Sequence, residues 1–187
     1  MKANHSALLV MDVQNGIVQR FAEKPEAMDP FRRAVSAART AGIPVIFVRV
    51  AFRDGYPEVS AKNKVFSALT ERGGMTISEA SIQIHHSVTP LTDEPVVTKL
   101  RVSAFAGSDL EVILRSRGID TLILTGIATS GVVLSTLREA ADKDYRLVVL
   151  SDACLDADPE VHRVLVEKLF PRQAAVLTVN EWANTLP

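Results

Sequence analysis

The sequence predicts a three-layer α/β domain built around a mostly parallel central sheet. Three observations carry that prediction. Apolar runs of strand length recur at 7–13 (ALLVMDV), 44–50 (PVIFVRV), 122–124 (LIL) and 146–150 (RLVVL). Continuous rather than alternating apolar runs belong to strands covered on both faces. Segments of helical spacing lie between them. The joins are short, so strand, helix and strand form βαβ units, which imply parallel pairs with right-handed crossovers.

The elements follow in order. Strand 7–13 ends beside Asp12. Helix 29–40 has Pro30 in its first turn, Phe31, Ala34, Val35 and Ala38 on one face, and Gly42 as its stop. Strand 44–50 follows. Residues 51–90 are irregular, with turn chemistry at Arg53-Asp54-Gly55-Tyr56-Pro57 and a helical turn or two at 66–71, ended by Gly73-Gly74. So long a stretch fits a lid or an oligomer arm about equally. Residues 95–98 form a short strand that delivers Lys99. Helix 108–117 starts at Ser108 and stops at Gly118. After the strand at 122–124, Gly126 turns the backbone, Thr129 or Ser130 caps the next helix, and Val133, Leu137, Ala140 and Ala141 recur at helical spacing. Strand 146–150 ends in Ser151-Asp152. Asp158 caps helix 159–170, whose apolar set is Val161, Val164, Leu165, Leu169 and Phe170. Strand 175–179 and a helical turn at 180–185 complete the chain.

Composition narrows the function. The chain has 187 residues, 47% hydrophobic and 23% charged, with a net charge of -1. It reads as one domain, 1–187, with an ordinary buried core. A near-neutral chain without a basic block has no footprint for nucleic acid or for an anionic membrane. No apolar run reaches the roughly 20 residues of a membrane span. One cysteine, Cys154, excludes an internal disulfide. A cytoplasmic protein is expected, with a small-molecule substrate rather than a nucleic acid or membrane partner.

Three positions share one geometry. Asp12, Lys99 and the turn Ala128 to Val132 each follow a buried strand, and in an open parallel sheet the carboxyl ends of strands line one crevice. The turn adds free backbone N–H groups at a helix start. A carboxylate and an amine converging there can take and return a proton; equally, they can be a plain salt bridge at a strand edge. Other nucleophiles have less support. Cys154 has no adjacent base, and His162 is expected to face solvent. Ser130 and Ser135 lack a nucleophile-elbow setting. His85 and His86 are adjacent and point apart, without metal spacing. No glycine-rich nucleotide fingerprint occurs, so no cofactor is expected. Gln14 is placed to orient Asp12 or a ligand, or is solvated. Phe52, Arg53 and Tyr56 suggest a mixed apolar and cationic substrate entrance, or pack within the loop.

The stretches LLVMDVQNG, VVTKLRVSAF and LTGIATSGVVLSTLREAADKDYRLVVLSDA resemble, in that order, the isochorismatase-like hydrolases, or cysteine hydrolase superfamily. The likeness runs from about residue 6 to 180. It implies a Rossmann-like fold, a homodimer or homotetramer, and an Asp–Lys–Cys triad. Asp12 matches the first member and Lys99 the second. The motif puts the nucleophile at residue 132, which here is valine, so the covalent route through that position is closed. The resemblance also implies a cis peptide at Ile127–Ala128, with the N–H groups of Ala128 and Val132 as oxyanion donors. The metal motif of the nicotinamidases is replaced by Val50 and Phe52, so no metal is expected. Isochorismatases lack the cysteine too, with glycine in its place, and hydrolyse an enol ether with the Asp and the Lys. The expected function is hydrolysis of a small molecule by Asp12, Lys99 and backbone donors. The alternative is a catalytically silent member that binds a small molecule or a protein.

Overall fold

The computed structural model describes residues 5–22 and 24–186. Among these, six strands form one wholly parallel sheet: β1 (Ser6–Met11), β2 (Val45–Val50), β3 (Val96–Lys99), β4 (Thr121–Ile127), β5 (Arg146–Leu155) and β6 (Ala175–Leu177), in the order β3-β2-β1-β4-β5-β6. The chain winds outward from β1 to β3, returns to the other side of β1 as β4, and winds outward again to β6. The order therefore reverses between β1 and β4, and in open α/β sheets such a reversal, at the carboxyl ends of the strands, is where ligands bind.

Seven α-helices connect the strands among the described residues: α1 (Asn15–Phe21), α2 (Asp29–Thr40), α3 (Leu69–Arg72), α4 (Leu110–Ser116), α5 (Leu134–Asp142), α6 (Pro159–Val164) and α7 (Val179–Ala183). Every residue of β1 and β4 is buried, because both faces of the sheet are covered. Side chains alternate between those faces. Leu8, Val10, Phe47 and Ile123 pack with Phe31, Ala34, Val35 and Ala38 of α2 and with Trp182 of α7. Leu9, Met11, Ile46, Val48, Leu122 and Leu124 pack with Leu110 and Leu114 of α4 and Leu137 and Ala140 of α5. Each fully buried side chain of this size contributes about 1.5–3 kcal/mol, so the two apolar layers fix the strand ends from both sides.

Several local expectations change. Helix α1 lies where none was expected, because its seven residues bury only Val18 and show no apolar stripe. Strand β5 continues through Ser151 and Asp152 to Leu155. Leu124 pairs with Val149 but Gly126 with Cys154, a bulge that lets two polar residues sit inside a strand. The helical segment near 66–71 is the short α3, closed by Gly73 at φ 72°. Neither Thr129 nor Ser130 caps the helix after β4 with its side chain. In the 159–170 segment, Leu165 and Phe170 are buried, whereas Val161 and Val164 face solvent. Asp158 caps α6 as expected, accepting from the N–H groups of Glu160 and Val161.

Candidate active site

Asp12 directly follows β1. Its φ of 57° lies in the left-handed region, which aspartate tolerates better than most residues. Its N–H donates to Val48 O at 2.8 Å, so the turn stays tied to β2. Lys99 is the last residue of β3, two strands away, and reaches across the end of β2. Its Nζ lies 3.0 Å from Asp12 Oδ2 and donates to Arg101 O at 2.9 Å. Lys99 is 1% exposed and Asp12 5%. Burial pushes the Asp12 carboxyl above the ordinary carboxylate range, and the Lys99 ammonium beside it pulls back only in part. Asp12 Oδ1 is buried without a hydrogen-bond partner. The sequence brings these two residues together as expected, and the result is a desolvated ion pair with one carboxylate oxygen open.

Gln14 is neither solvated nor directed at Asp12 by any hydrogen bond. Its Nε2 donates to Val50 O at 3.0 Å and Ile82 O at 3.1 Å, and its Oε1 accepts from Val50 N at 2.9 Å. Val50 is the strand partner of Lys99, so Gln14 ties the start of α1 to the strand ends that carry the pair. The expected entrance residues divide. Phe52 is buried, with its ring centroid 5.2 Å from Phe66 and 6.4 Å from Tyr56, in a small apolar cluster with Val50 and Leu69. Tyr56 donates its hydroxyl to Gly74 O at 3.0 Å. Arg53 is exposed and paired with Glu58. These contacts hold the 51–75 loop together, so Phe52 and Tyr56 belong to its packing.

On the other side of the switch point, β4 ends at Gly126 and Ile127. A Cβ on Gly126 would stand 2.6 Å from Met11 O, so only glycine lets β4 approach β1 this closely. The Ile127–Ala128 peptide is cis. A wide turn, Thr129–Val133, then leads into α5, with Gly131 out of helical geometry. Val132 is 2% exposed and belongs to the apolar layer beneath the sheet. Cys154 is buried opposite Gly126, and burial pushes its thiol up to about 12, which leaves almost no thiolate at neutral pH.

Sequence reasoning missed the clasp that holds this turn. Thr129 Oγ1 shares a 2.8 Å hydrogen bond with His162 Nδ1, and Ser130 N donates to Asp156 Oδ2 at 2.7 Å. His162 is therefore half-buried rather than solvated. Burial holds its imidazole below the ordinary value against the pull of Asp156. For Asp156, burial works upward, but the Ser130 side chain and the N–H groups of Ser130, Asp158 and Ala157 hold the carboxyl low. The one advance signal was the Asp156-x-Asp158 spacing before α6. His85 and His86 do not point apart either; their rings lie 4.1 Å from each other. Among the described residues, no three His, Cys, Asp or Glu side chains gather as a metal site.

A doubly wound parallel sheet with a desolvated carboxylate–amine pair at its switch point defines a small-molecule α/β domain, the class whose ligands sit at that point. The chain belongs to the isochorismatase family: the isochorismatase domain matches residues 6–181. It is 37% identical to the uncharacterized isochorismatase family protein YecD of Escherichia coli O157:H7, over 100% of this chain and 98% of that one. It is 33% identical to the ureidoacrylate amidohydrolase RutB of Pseudomonas syringae pv. syringae, over 96% of this chain and 78% of the relative. A cysteine hydrolase from Pseudomonas syringae pv. phaseolicola 1448A shares the fold, with a TM-score of 0.89 at 22% identity, covering 98% of this chain and 93% of the other.

Proposed function

We propose that this protein hydrolyses a small amide, ureido compound or vinyl ether by direct attack of water, with Asp12 and Lys99 as its proton machinery and no covalent cysteine intermediate. The observation that supports this reading is the open Asp12 Oδ1, buried beside an ammonium group 3.0 Å from its sister oxygen. For an amide, Asp12 accepts a proton from water as the water oxygen bonds to the carbonyl carbon. The C=O electron pair moves onto oxygen, where the N–H groups of Ala128 and Val132 receive it. Collapse re-forms the C=O, breaks the C–N bond, and Asp12 returns the proton to the leaving nitrogen. Lys99 holds Asp12 in place and keeps its charge compensated. The relative that acts on ureidoacrylate makes ureido acids the first compounds to try. A domain spanning 1–187 and a homodimer or homotetramer complete the proposal, the latter checked by light scattering.

A second reading, a silent binding member, draws on Val132, whose side chain fills apolar space at the position where the family's amidases carry a thiol. The experiment is a hydrolysis panel of ureido acids, carbamoyl compounds, amides and isochorismate, read by product NMR, with Asp12→Asn as control. Turnover that disappears in Asp12→Asn supports the first reading. Saturable binding without turnover across the panel supports the second, and turnover unchanged in Asp12→Asn overturns the mechanism.

A further inference from the structure

A cavity of about 360 Å³ lies between α1 and the 69–82 segment, with Gln14, Arg20, Arg72, Gly74 and Glu79 in its wall. Ligand pockets begin at about this size. These two arginines, like Arg49 and Arg138 elsewhere, have no ion-paired carboxylate among the described residues, and they share one cavity wall. Arg32, Arg39, Arg53, Arg115 and Arg163 each pair with a carboxylate. Arg20 donates its Nε to Gly16 O at 3.1 Å, and its terminal nitrogens have no hydrogen-bond partner among the described residues.

The acidic neighbour forms no ion pair with them, and its single negative charge leaves the wall net positive. Glu79 accepts from Ser81 Oγ at 2.9 Å, Met75 N at 3.2 Å, Thr76 Oγ1 at 3.1 Å and Thr76 N at 3.3 Å. The Ser81 hydroxyl first, then the Thr76 and Met75 donors, hold its carboxyl low against burial. Both of its oxygens are committed to shaping the loop. The wall therefore presents two guanidinium forks and one occupied carboxylate. Gly74, two residues after Arg72 and also in the wall, stands at φ 97°, and a Cβ there would meet nothing within 4 Å. Gln14, two residues after Asp12, joins this wall to the strand ends of the candidate active site.

We propose that this cavity binds the oxyanion end, carboxylate or phosphoryl, of a small acid between Arg20 and Arg72. Guanidinium forks match both groups bidentately, and an incoming anion is attracted to a wall that carries two of them. The proposal stands whether or not the Asp12–Lys99 pair is catalytic. The acid is either the substrate's own or that of a separate ligand.

The test is an amide NMR titration of the whole protein with succinate and, separately, inorganic phosphate, at constant ionic strength. Saturable shifts at Gly73, Gly74 and Gly16 are expected with at least one probe. Binding should weaken about tenfold in Arg20→Gln and in Arg72→Gln, the size of a lost charge-assisted hydrogen bond, and stay unchanged in Arg163→Gln. Saturation by succinate alone assigns a carboxylate site, and by phosphate alone a phosphoryl site. Non-saturating shifts with both probes, or equal affinity in all variants whose remaining spectra superimpose on the wild type, would overturn the proposal. If hydrolysis is found, a rise in KM for acidic but not neutral substrates in Arg72→Gln assigns the site to substrate; unchanged KM for both assigns it to a separate acid.

Discussion

On one side of the sheet's switch point, the ends of β1 and β3 hold Asp12 and Lys99, two charged groups kept buried at the cost of desolvation. On the other, the end of β4 offers backbone and shape: Gly126, a cis peptide, a wide turn and Val132 packed into the core. The first side is chemical and depends on which side chains stand there. The second is geometric and depends on how closely strands approach and how the turn is held. The difference teaches that the strand ends of one sheet can supply side-chain charge on one side and backbone geometry on the other.

The largest expected effect comes from breaking the chemical side. Lys99→Met leaves a buried carboxylate without its partner and should cost about 3–5 kcal/mol of unfolding free energy. Asp12→Asn/Lys99→Met, which removes both charges, should recover a substantial part of that loss. Urea unfolding of the single and double variants measures it; equal losses in both would mean the pair is not coupled.

The next effect falls on the geometric side. Gly126→Ala sets a methyl 2.6 Å from Met11 O, and backbone must move, so a loss of about 1–3 kcal/mol is expected by thermal melts. A wild-type melting temperature would show that β1 and β4 tolerate separation. Val132→Cys should be milder, below about 1.5 kcal/mol, because the side chains are close in volume. It sharpens the comparison by putting a thiol on the turn. Alkylation of the native variant faster than of wild-type Cys154 is expected, since the Cys154 thiol is pushed up to about 12. Equal rates in the two proteins would show that position 132 is closed off.

The smallest effect is a pH dependence of the clasp. His162 in the folded protein binds its proton less readily than in the unfolded chain, because burial lowers it from 6.5. The unfolded state therefore takes up more protons as pH falls below that value, and the contribution of neutral His162 is lost toward acid. The melting temperature of wild type should fall relative to His162→Gln between about pH 7 and 5. His85 shifts the same way and stays in both proteins, so the difference isolates the clasp. Parallel curves would remove His162 from the account.

Much of this comparison was legible in the sequence, for physical reasons. The apolar runs of β1, β2, β4 and β5 mark strands buried on both faces, and Asp12 and Lys99 announce themselves as charges at the ends of such runs. The clasp was hidden, because Thr129 and His162 meet only after α5 and β5 have packed, 33 residues apart. The role of Gln14 was hidden for the same reason: its partners come from β2 and from residue 82. Helix α1 was too short for its periodicity to show. In the 51–75 loop, Phe52 and Tyr56 could be read as entrance or as packing; Phe52 packs on Phe66, and Tyr56 packs on Phe52 and donates to Gly74 O.

The proposed function places the chemistry in the Asp12–Lys99 side and not in the cysteine. The most direct measurement is kcat/KM for Asp12→Asn and Cys154→Ala, side by side, on a substrate the wild type hydrolyses. The account predicts a fall of about 10²–10⁴ for Asp12→Asn, the range of general acid–base catalysis, and a change of no more than a few-fold for Cys154→Ala. An Asp12→Asn enzyme as fast as wild type, or a Cys154→Ala enzyme without activity though folded, would contradict it.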